Sequence, residues 1–262
     1  MSTDAQQTEE TGESFMSHLI ELRSRLMKAV GAVLVLFIIL FSWPGASYIY
    51  DLLAAPMLAS LPQGTRMIAT GVVTPFMVPV KVTMMAAFIA ALPIVLYQIW
   101  AFVAPGLYRH EQRLALPLIV SSSLLFIAGM AFCYFIVFQT VFSFIASFAP
   151  QSITPAPDIE AYLGFVMTMF LAFGITFEIP IAVVLLVRMG IVTVQKLKEA
   201  RGYVVVGAFV IAAVVTPPDV VSQFMLAVPL CILYEIGLIC ARWVKPRTKD
   251  EEEEAPTDPV AN

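Results

Sequence analysis

Six stretches of this chain are apolar almost without interruption, at about 26–44, 76–101, 114–138, 161–187, 203–216 and 221–241. Nothing else in the sequence constrains the fold as much. A hydrocarbon core roughly 30 Å thick is crossed by about 20 apolar residues in helical form. A backbone in lipid must also satisfy its own hydrogen bonds, which a helix does within one segment. The expected fold is therefore an all-α polytopic membrane protein with six transmembrane helices. Composition agrees: 60% of residues are hydrophobic and 13% are charged, where a soluble domain is about half apolar and a quarter charged. The fifth and sixth spans read as short and are separated only by TPPD, Thr216 to Asp219. This last hairpin is expected to thin the bilayer locally or to lean on its neighbours.

Basic residues in short loops set orientation. Arg23, Arg25 and Lys28 precede the first span, Arg109 and Arg113 follow the second, Arg188, Lys196, Lys198 and Arg201 follow the fourth, and Arg242, Lys245, Arg247 and Lys249 follow the sixth. Arg66 alone falls on the other side, and Lys81 lies inside the edge of span two. Both termini are thus predicted to be cytoplasmic. Residues 23–46 also resemble a signal peptide, but Pro44-Gly45-Ala46 has no small residue three before a cut and a polar leader precedes it. That segment is read as a retained first span. Trp43, Trp100 and Trp243 each fall at a span end, where indoles favour the interface.

Outside the spans, residues 1–13 and the acidic stretch within 244–262 are expected to be disordered tails, leaving 14–243 as the membrane domain. FMSHLIELRSRL has Phe15, Leu19, Leu22 and Leu26 on one helical stripe, predicting a short amphipathic helix at the cytoplasmic surface. Glu21 and Arg25 stand four apart in the favourable order. The loops at about 45–75 and 139–160 read as caps over the outer ends of the spans, the first containing a short helix with Pro56.

Chemistry is sparse. No nucleophile elbow, zinc motif, phosphate loop or dinucleotide fingerprint occurs. The histidines, His18 and His110, lie in different segments, and Cys133, Cys231 and Cys240 sit within spans as apolar filler. No enzyme, metal or cofactor is expected. Ser121, Ser122 and Ser123 read as helix–helix hydrogen bonding. What stands out is charge where lipid should be, at Glu178 and Glu235. A buried acid at mid-bilayer costs about 2.5–3.5 kcal/mol on insertion scales, so each must face protein, water or a partner. Pro180 lacks an N–H and frees the Thr176 carbonyl beside Glu178. From the residues alone, a functional Glu178 and a protonated, packed one stand equal.

HLIELRSRL at 18–26, LPQGTRMIAT at 61–70, LYQIWAFVAPGLYRHEQR at 96–113, SSSLLFIAGMAFCYFIVF at 121–138, GFVMTMFLAFGITFEIPIAVVLL at 164–186 and VGAFVIAAVVTPPDVVSQ at 206–223 together resemble the TatC family, the core component of the twin-arginine protein translocase. The resemblance runs collinearly from about residue 14 to 243. It implies a receptor in the bacterial cytoplasmic (inner) membrane that binds twin-arginine signal peptides. With TatB-like and TatA-like single-span partners it would move folded proteins across, driven by the proton-motive force. It further implies a homo-oligomeric arrangement within a larger complex, contact with lipid and none with nucleic acid. Carried over residue by residue, the signal-binding positions are Glu21, Leu22, Arg23, Phe102, Pro105 and Glu111, and the partner or assembly positions are Pro56, Glu178 and Asp219. Gly71 departs from the pattern, since relatives often carry an acid there, and Arg188 sits where a relative can be apolar.

The resemblance explains FVAPGLYRHEQR at 102–113, a charged break between apolar runs. A carboxylate at the water–lipid boundary can take a guanidinium through two parallel hydrogen bonds, which lysine imitates poorly. Arg109 and Arg113 would hold Glu111 until a substrate arginine competes; without the resemblance, simple neutralisation within the loop is the favoured reading. The competing class is a small secondary transporter or proton channel centred on Glu178, with Glu235 as a second acid. No second copy of the GITFEIP or APGLYRHE pattern supports the paired repeats such proteins use.

Overall fold

The computed structural model describes residues 3–60, 67–103, 112–148 and 156–243, and their regular elements are all helices. Helix α1 (Thr3–Leu40) runs unbroken through the amphipathic stretch at 15–26 and into the first span. The surface helix expected there is therefore not a separate element. The helix breaks where Trp43 takes extended backbone, with φ −153° and ψ 126°. A proline disfavours helical backbone in the residue before it, and Pro44 is that proline. Gly45 follows at φ 100°, a conformation that side chains with a Cβ rarely adopt. Helix α2 (Ala46–Ser60) then carries Pro56, as expected of the first outer loop.

Helix α3 is Thr74–Val103. Helix α4 (Gln112–Phe132) passes through a widened turn at Cys133–Val137 into α5 (Phe138–Phe148). Helices α6 (Ile159–Phe177) and α7 (Ile179–Arg188) are two halves of one span that bends at Glu178. The short α8 (Val194–Glu199) is capped by the Thr193 hydroxyl, which accepts the Lys196 N–H at 3.3 Å. Helices α9 (Arg201–Val215) and α10 (Val220–Ala241) complete the order.

Among the described residues, five helical segments are long and apolar enough to cross a membrane: Leu19–Ala59, Thr74–Phe102, Leu116–Ser147, Ile159–Arg188 and Val220–Ala241. Helix α9 has 15 residues and rises only about 22 Å, short of the roughly 30 Å core. Helix α10 has 22 residues and rises about 33 Å. The expected shortness thus holds for α9 and is corrected for α10, which starts beside its cap at Asp219 and continues through Pro229.

The chain packs as two compact units. In the first, α3 packs against α1 and α2, and α2 against α5. Val78, Ala87, Ala91, Phe138 and Val141 are fully buried there, and Phe138, Phe142, Tyr162 and Phe165 form a chain of ring contacts at 5.5 to 5.8 Å. In the second unit, Val183 and Val187 of α7 pack against Tyr234, Leu238 and Ala241 of α10. Lipid is as apolar as these side chains, so close packing and interhelical hydrogen bonds, more than water exclusion, hold such contacts.

Candidate functional site

The candidate signal-reading residues begin on α1. Glu21 is half-buried, while Leu22 and Arg23 are exposed. The fourfold spacing puts Arg25 one turn above Glu21, and its Nε and Nη2 both donate to Glu21 Oε1, at 2.9 and 2.6 Å. Phe102 lies at the end of α3, which packs against α1. Pro105 and Glu111 lie outside the described residues. The structure therefore puts Glu21 and Phe102 on adjoining helices of one unit.

Pro56 sits inside α2. Proline opens the turn that precedes it, and in that turn the Leu53 carbonyl accepts the buried Tyr162 hydroxyl at 2.9 Å. That hydroxyl ties α2, one turn before Pro56, to the start of α6. Asp219 likewise has a local task. It caps α10, accepting the Ser222 N–H at 2.7 Å and the Ser222 hydroxyl, so the TPPD turn ends in a satisfied helix start. The Thr216 hydroxyl closes the other side on the Ala212 carbonyl at 2.8 Å.

Glu178 occupies the bend between α6 and α7. Its N–H bonds the Ile175 carbonyl at 3.0 Å and its carbonyl accepts from Ala182 at 2.9 Å, so the helix tightens there and continues with Pro180 in the first turn. Its Oε1 is shielded from solvent. Two glycines hold the helices around this bend. A Cβ at Gly129 of α4 would stand 2.5 Å from the Phe173 carbonyl oxygen, and one at Gly237 of α10 would stand 3.0 Å from Pro180 Cα. Small residues let membrane helices approach to backbone contact. Sequence reasoning passed over both positions.

Glu235 has a basic partner. Its Oε2 accepts from Arg201 Nη2 at 2.6 Å, both side chains being nearly half exposed. Arg201 opens α9, so a basic residue from a helix start neutralises the acid inside α10. Beside it, the Tyr234 hydroxyl donates to the Leu197 carbonyl at 2.8 Å.

The two expected caps meet each other. Ile68 and Asp158 form a short parallel bridge through Ile68 N–H to Pro157 O at 3.0 Å and Ile159 N–H to Ile68 O at 2.9 Å. Thr70 donates to Asp158 Oδ2 from its hydroxyl at 2.8 Å and its N–H at 3.1 Å, while Asp158 Oδ1 takes the N–H groups of Glu160 and Ala161. The Ala161 N–H and the Thr70 hydroxyl, joined by the Thr70 and Glu160 N–H groups, hold the Asp158 carboxyl below its ordinary range against an opposing loss of hydration. Lys81, the basic residue within span two, donates to Glu160 at 2.8 Å, and Thr74 donates to the other Glu160 oxygen at 3.2 Å. Trp100 donates to Ser122 at 2.9 Å, joining α3 to α4 as the serine run predicted.

Residues 17–229 match the family model described as TatC, Sec-independent protein translocase protein. Among relatives, the chain is 50% identical to the Sec-independent protein translocase protein TatC of Azotobacter chroococcum mcd 1, covering 93% of this chain and 95% of that one. It is 49% identical to the TatC of Escherichia coli strain K12, covering 93% and 94%. Its fold is similar to a crystal structure of the twin-arginine translocase receptor TatC at TM-score 0.75 and 39% identity, covering 86% of this chain and 98% of that one.

Proposed function

Because the chain belongs to the TatC family of Sec-independent protein translocase proteins and is a multi-pass membrane component of that translocase, we propose that it reads twin-arginine signal peptides through a carboxylate surface at its cytoplasmic face. The observation that supports this most directly is the Glu21 carboxylate, which already accepts two N–H groups of a guanidinium at 2.6 and 2.9 Å on a helix whose next two residues are exposed. That is the chemistry an arginine pair requires: a planar, always charged fork meeting an acid at the edge of the bilayer. In this reading Glu21, Leu22 and Arg23 form one half of the surface, and Phe102, Pro105 and Glu111 the other. Lysine, a point charge without the fork, is the poorer ligand.

Assembly falls to other residues. TatB-like and TatA-like single-span helices are the partners, and Glu178 at the bend between α6 and α7 offers a polar group at half depth to an incoming helix. Pro56 and Asp219 keep α2 and the turn before α10 in place for that assembly. Several copies act together in the inner membrane, folded cargo crosses, and the proton-motive force supplies the energy; the chain itself performs no covalent chemistry.

The experiment is photo-crosslinking of a twin-arginine signal peptide to probes placed in turn at 19–25 and 102–113. Crosslinks at both segments, lost when the peptide's arginines become glutamines, are expected. Equal crosslinking of the glutamine peptide refutes an arginine-reading role.

A further inference from the structure

We propose that the last two turns of α10, with Arg201 and Arg242 at two depths, bind the headgroup of an anionic phospholipid whose acyl chain lies along the exposed stripe below them.

The stripe is Ile232, Glu235, Ile239 and Arg242, spaced three, four and three apart, so these residues share one side of α10. Ile232 is 55% exposed and Ile239 48%. On the neighbouring side, Tyr234, Leu238 and Ala241 are buried against Val183 and Val187 of α7. An exposed isoleucine row on a membrane-crossing helix is a surface for acyl chains. Charge then enters the same row from the end. Arg201 Nη2 meets Glu235 at 2.6 Å, and Arg242 stands seven positions beyond Glu235 (242 − 235), about 10 Å further along the helix. The polar zone of one leaflet is about 5–8 Å deep, so the two guanidinium groups bracket the depth of one headgroup. Their planar forks suit phosphate oxygens.

The short α8 adds to this end. The Leu197 carbonyl accepts the Tyr234 hydroxyl at 2.8 Å, and Val194 and Leu197 pack against the cluster that holds Tyr234 and Leu238. Lys196 and Lys198 are therefore held beside the same two turns, Lys196 being exposed. Arg188 closes α7 nearby in the chain order of this unit. The acids described at this end are Glu235, neutralised by Arg201, and Glu199, which accepts the Gln195 amide at 3.1 Å. Tyr203 and Trp243 are 84% and 83% exposed, and such amphipathic rings favour the headgroup level. A free phosphate would use the charges alone; the isoleucine row and the rings select a lipid. Helix α9 rises only about 22 Å over its 15 residues, so a lipid beside it must dip inward to reach Arg201, which a bilayer thinned at a short helix permits.

The test titrates the full chain in detergent with phosphatidylglycerol or phosphatidylcholine and reads the affinity of the first bound lipid by native mass spectrometry. Phosphatidylglycerol should bind several times more tightly. A basic residue near an anionic surface contributes about a fivefold factor, so Arg242→Gln should weaken phosphatidylglycerol about two- to fivefold. Lys28→Gln, which removes the same charge from α1, should change it little. The double variant Arg201→Gln with Glu235→Gln keeps the net charge yet should also weaken binding, since a guanidinium facing the phosphate is lost. Inorganic phosphate added at matched ionic strength should not displace the lipid. Thermal unfolding of each variant checks that the fold is kept. Equal affinity for the two lipids overturns the proposal. So does a loss in Lys28→Gln as large as in Arg242→Gln, or a double variant that binds like the parent, because net charge alone would then act. Displacement of the lipid by inorganic phosphate overturns it as well, since the site would then be one for a free anion.

Discussion

Gly129→Ala should destabilise this protein far more than one methyl group ordinarily does. The new Cβ would lie 2.5 Å from the Phe173 carbonyl oxygen, 3.0 Å from its carbon and 2.9 Å from Phe177 Cγ. Ordinary van der Waals contact begins near 3.4 Å, so α4 and α6 must separate by about 0.9 Å, the difference between those two distances (3.4 − 2.5). Two of the three neighbours are backbone, which cannot rotate away. Overpacking of this kind costs about 1–3 kcal/mol, and a backbone clash belongs at the upper end. Against it stands the gain in helix propensity from Gly to Ala, at most about 1 kcal/mol. A net loss of about 1–2 kcal/mol remains. Gly207, where an added Cβ would meet nothing within 4 Å, is the control, since only the propensity gain operates there. Gly237→Ala should fall between them, because its nearest contact is 3.0 Å and two of its three neighbours are Val183 side-chain atoms. Thermal unfolding of the purified variants in one detergent gives the order, with Gly129→Ala expected to lower Tm by roughly 2–8 °C at about 2–4 °C per kcal/mol. If Gly129→Ala matches Gly207→Ala, the backbone contact between α4 and α6 is not what holds the bend.

Asp219→Ala should cost about 1 kcal/mol through loss of the α10 cap, and Asp219→Asn only a few tenths, because Asn caps as well as Asp; chemical denaturation of both variants separates the cap from any role of the charge. Asp158 has a carboxyl held below its ordinary range, so its contribution to the Ile68–Asp158 clasp is complete above the unfolded value, near pH 4, and is lost only as pH falls through the lower folded value. Amide exchange at Ile68 should be flat from pH 8 to 5 once corrected for intrinsic rates, and protection lost already at pH 6 would contradict the assignment. Glu178→Gln should transport nearly as well as the parent and Glu178→Ala poorly, since interhelical hydrogen bonds in membranes are worth about 0.6–2 kcal/mol; a Gln variant as inactive as Ala would mean that ionisation itself is needed. In a background with the native cysteines changed to Ala, Pro218→Cys should react with an impermeant maleimide added outside the cell and Lys198→Cys should not. The reverse pattern would invert the orientation.

The spans were legible because lipid leaves a chain little choice: each apolar run had to be helical, and the proline and glycine at 44–45 marked a real break. Pairings across the sequence were not legible. Lys81 and Glu235 stood out as charges in apolar runs, but their partners Glu160 and Arg201 lie 79 and 34 residues away, and no local pattern joins them. Gly129 and Gly237 gave no signal, because glycine is common in membrane helices and close approach is visible only with both helices in place. Asp219 could have been read as a cap from its place just before an apolar run, yet it entered only through resemblance. Glu21 shows the mixture well: the fourfold spacing foretold its pairing with Arg25, while the use of that carboxylate for a ligand came from the family and not from the spacing.

The clasp at Ile68 and Asp158 also sets a clock on synthesis. Thr70 and Asp158 are 88 residues apart, and chains are made at about 5–20 residues per second, so Thr70 emerges roughly 4 to 18 seconds before the carboxylate that will hold it. Lys81 waits in the same way for Glu160, with a full charge near the rim of a newly inserted helix. During that interval α3 is in place without its outer fastening, and α4 and α5 must be delivered before the fastening can close. The nascent protein therefore passes through a stage in which α3 lacks its outer fastening, and the rate of synthesis sets the shortest time that stage can last.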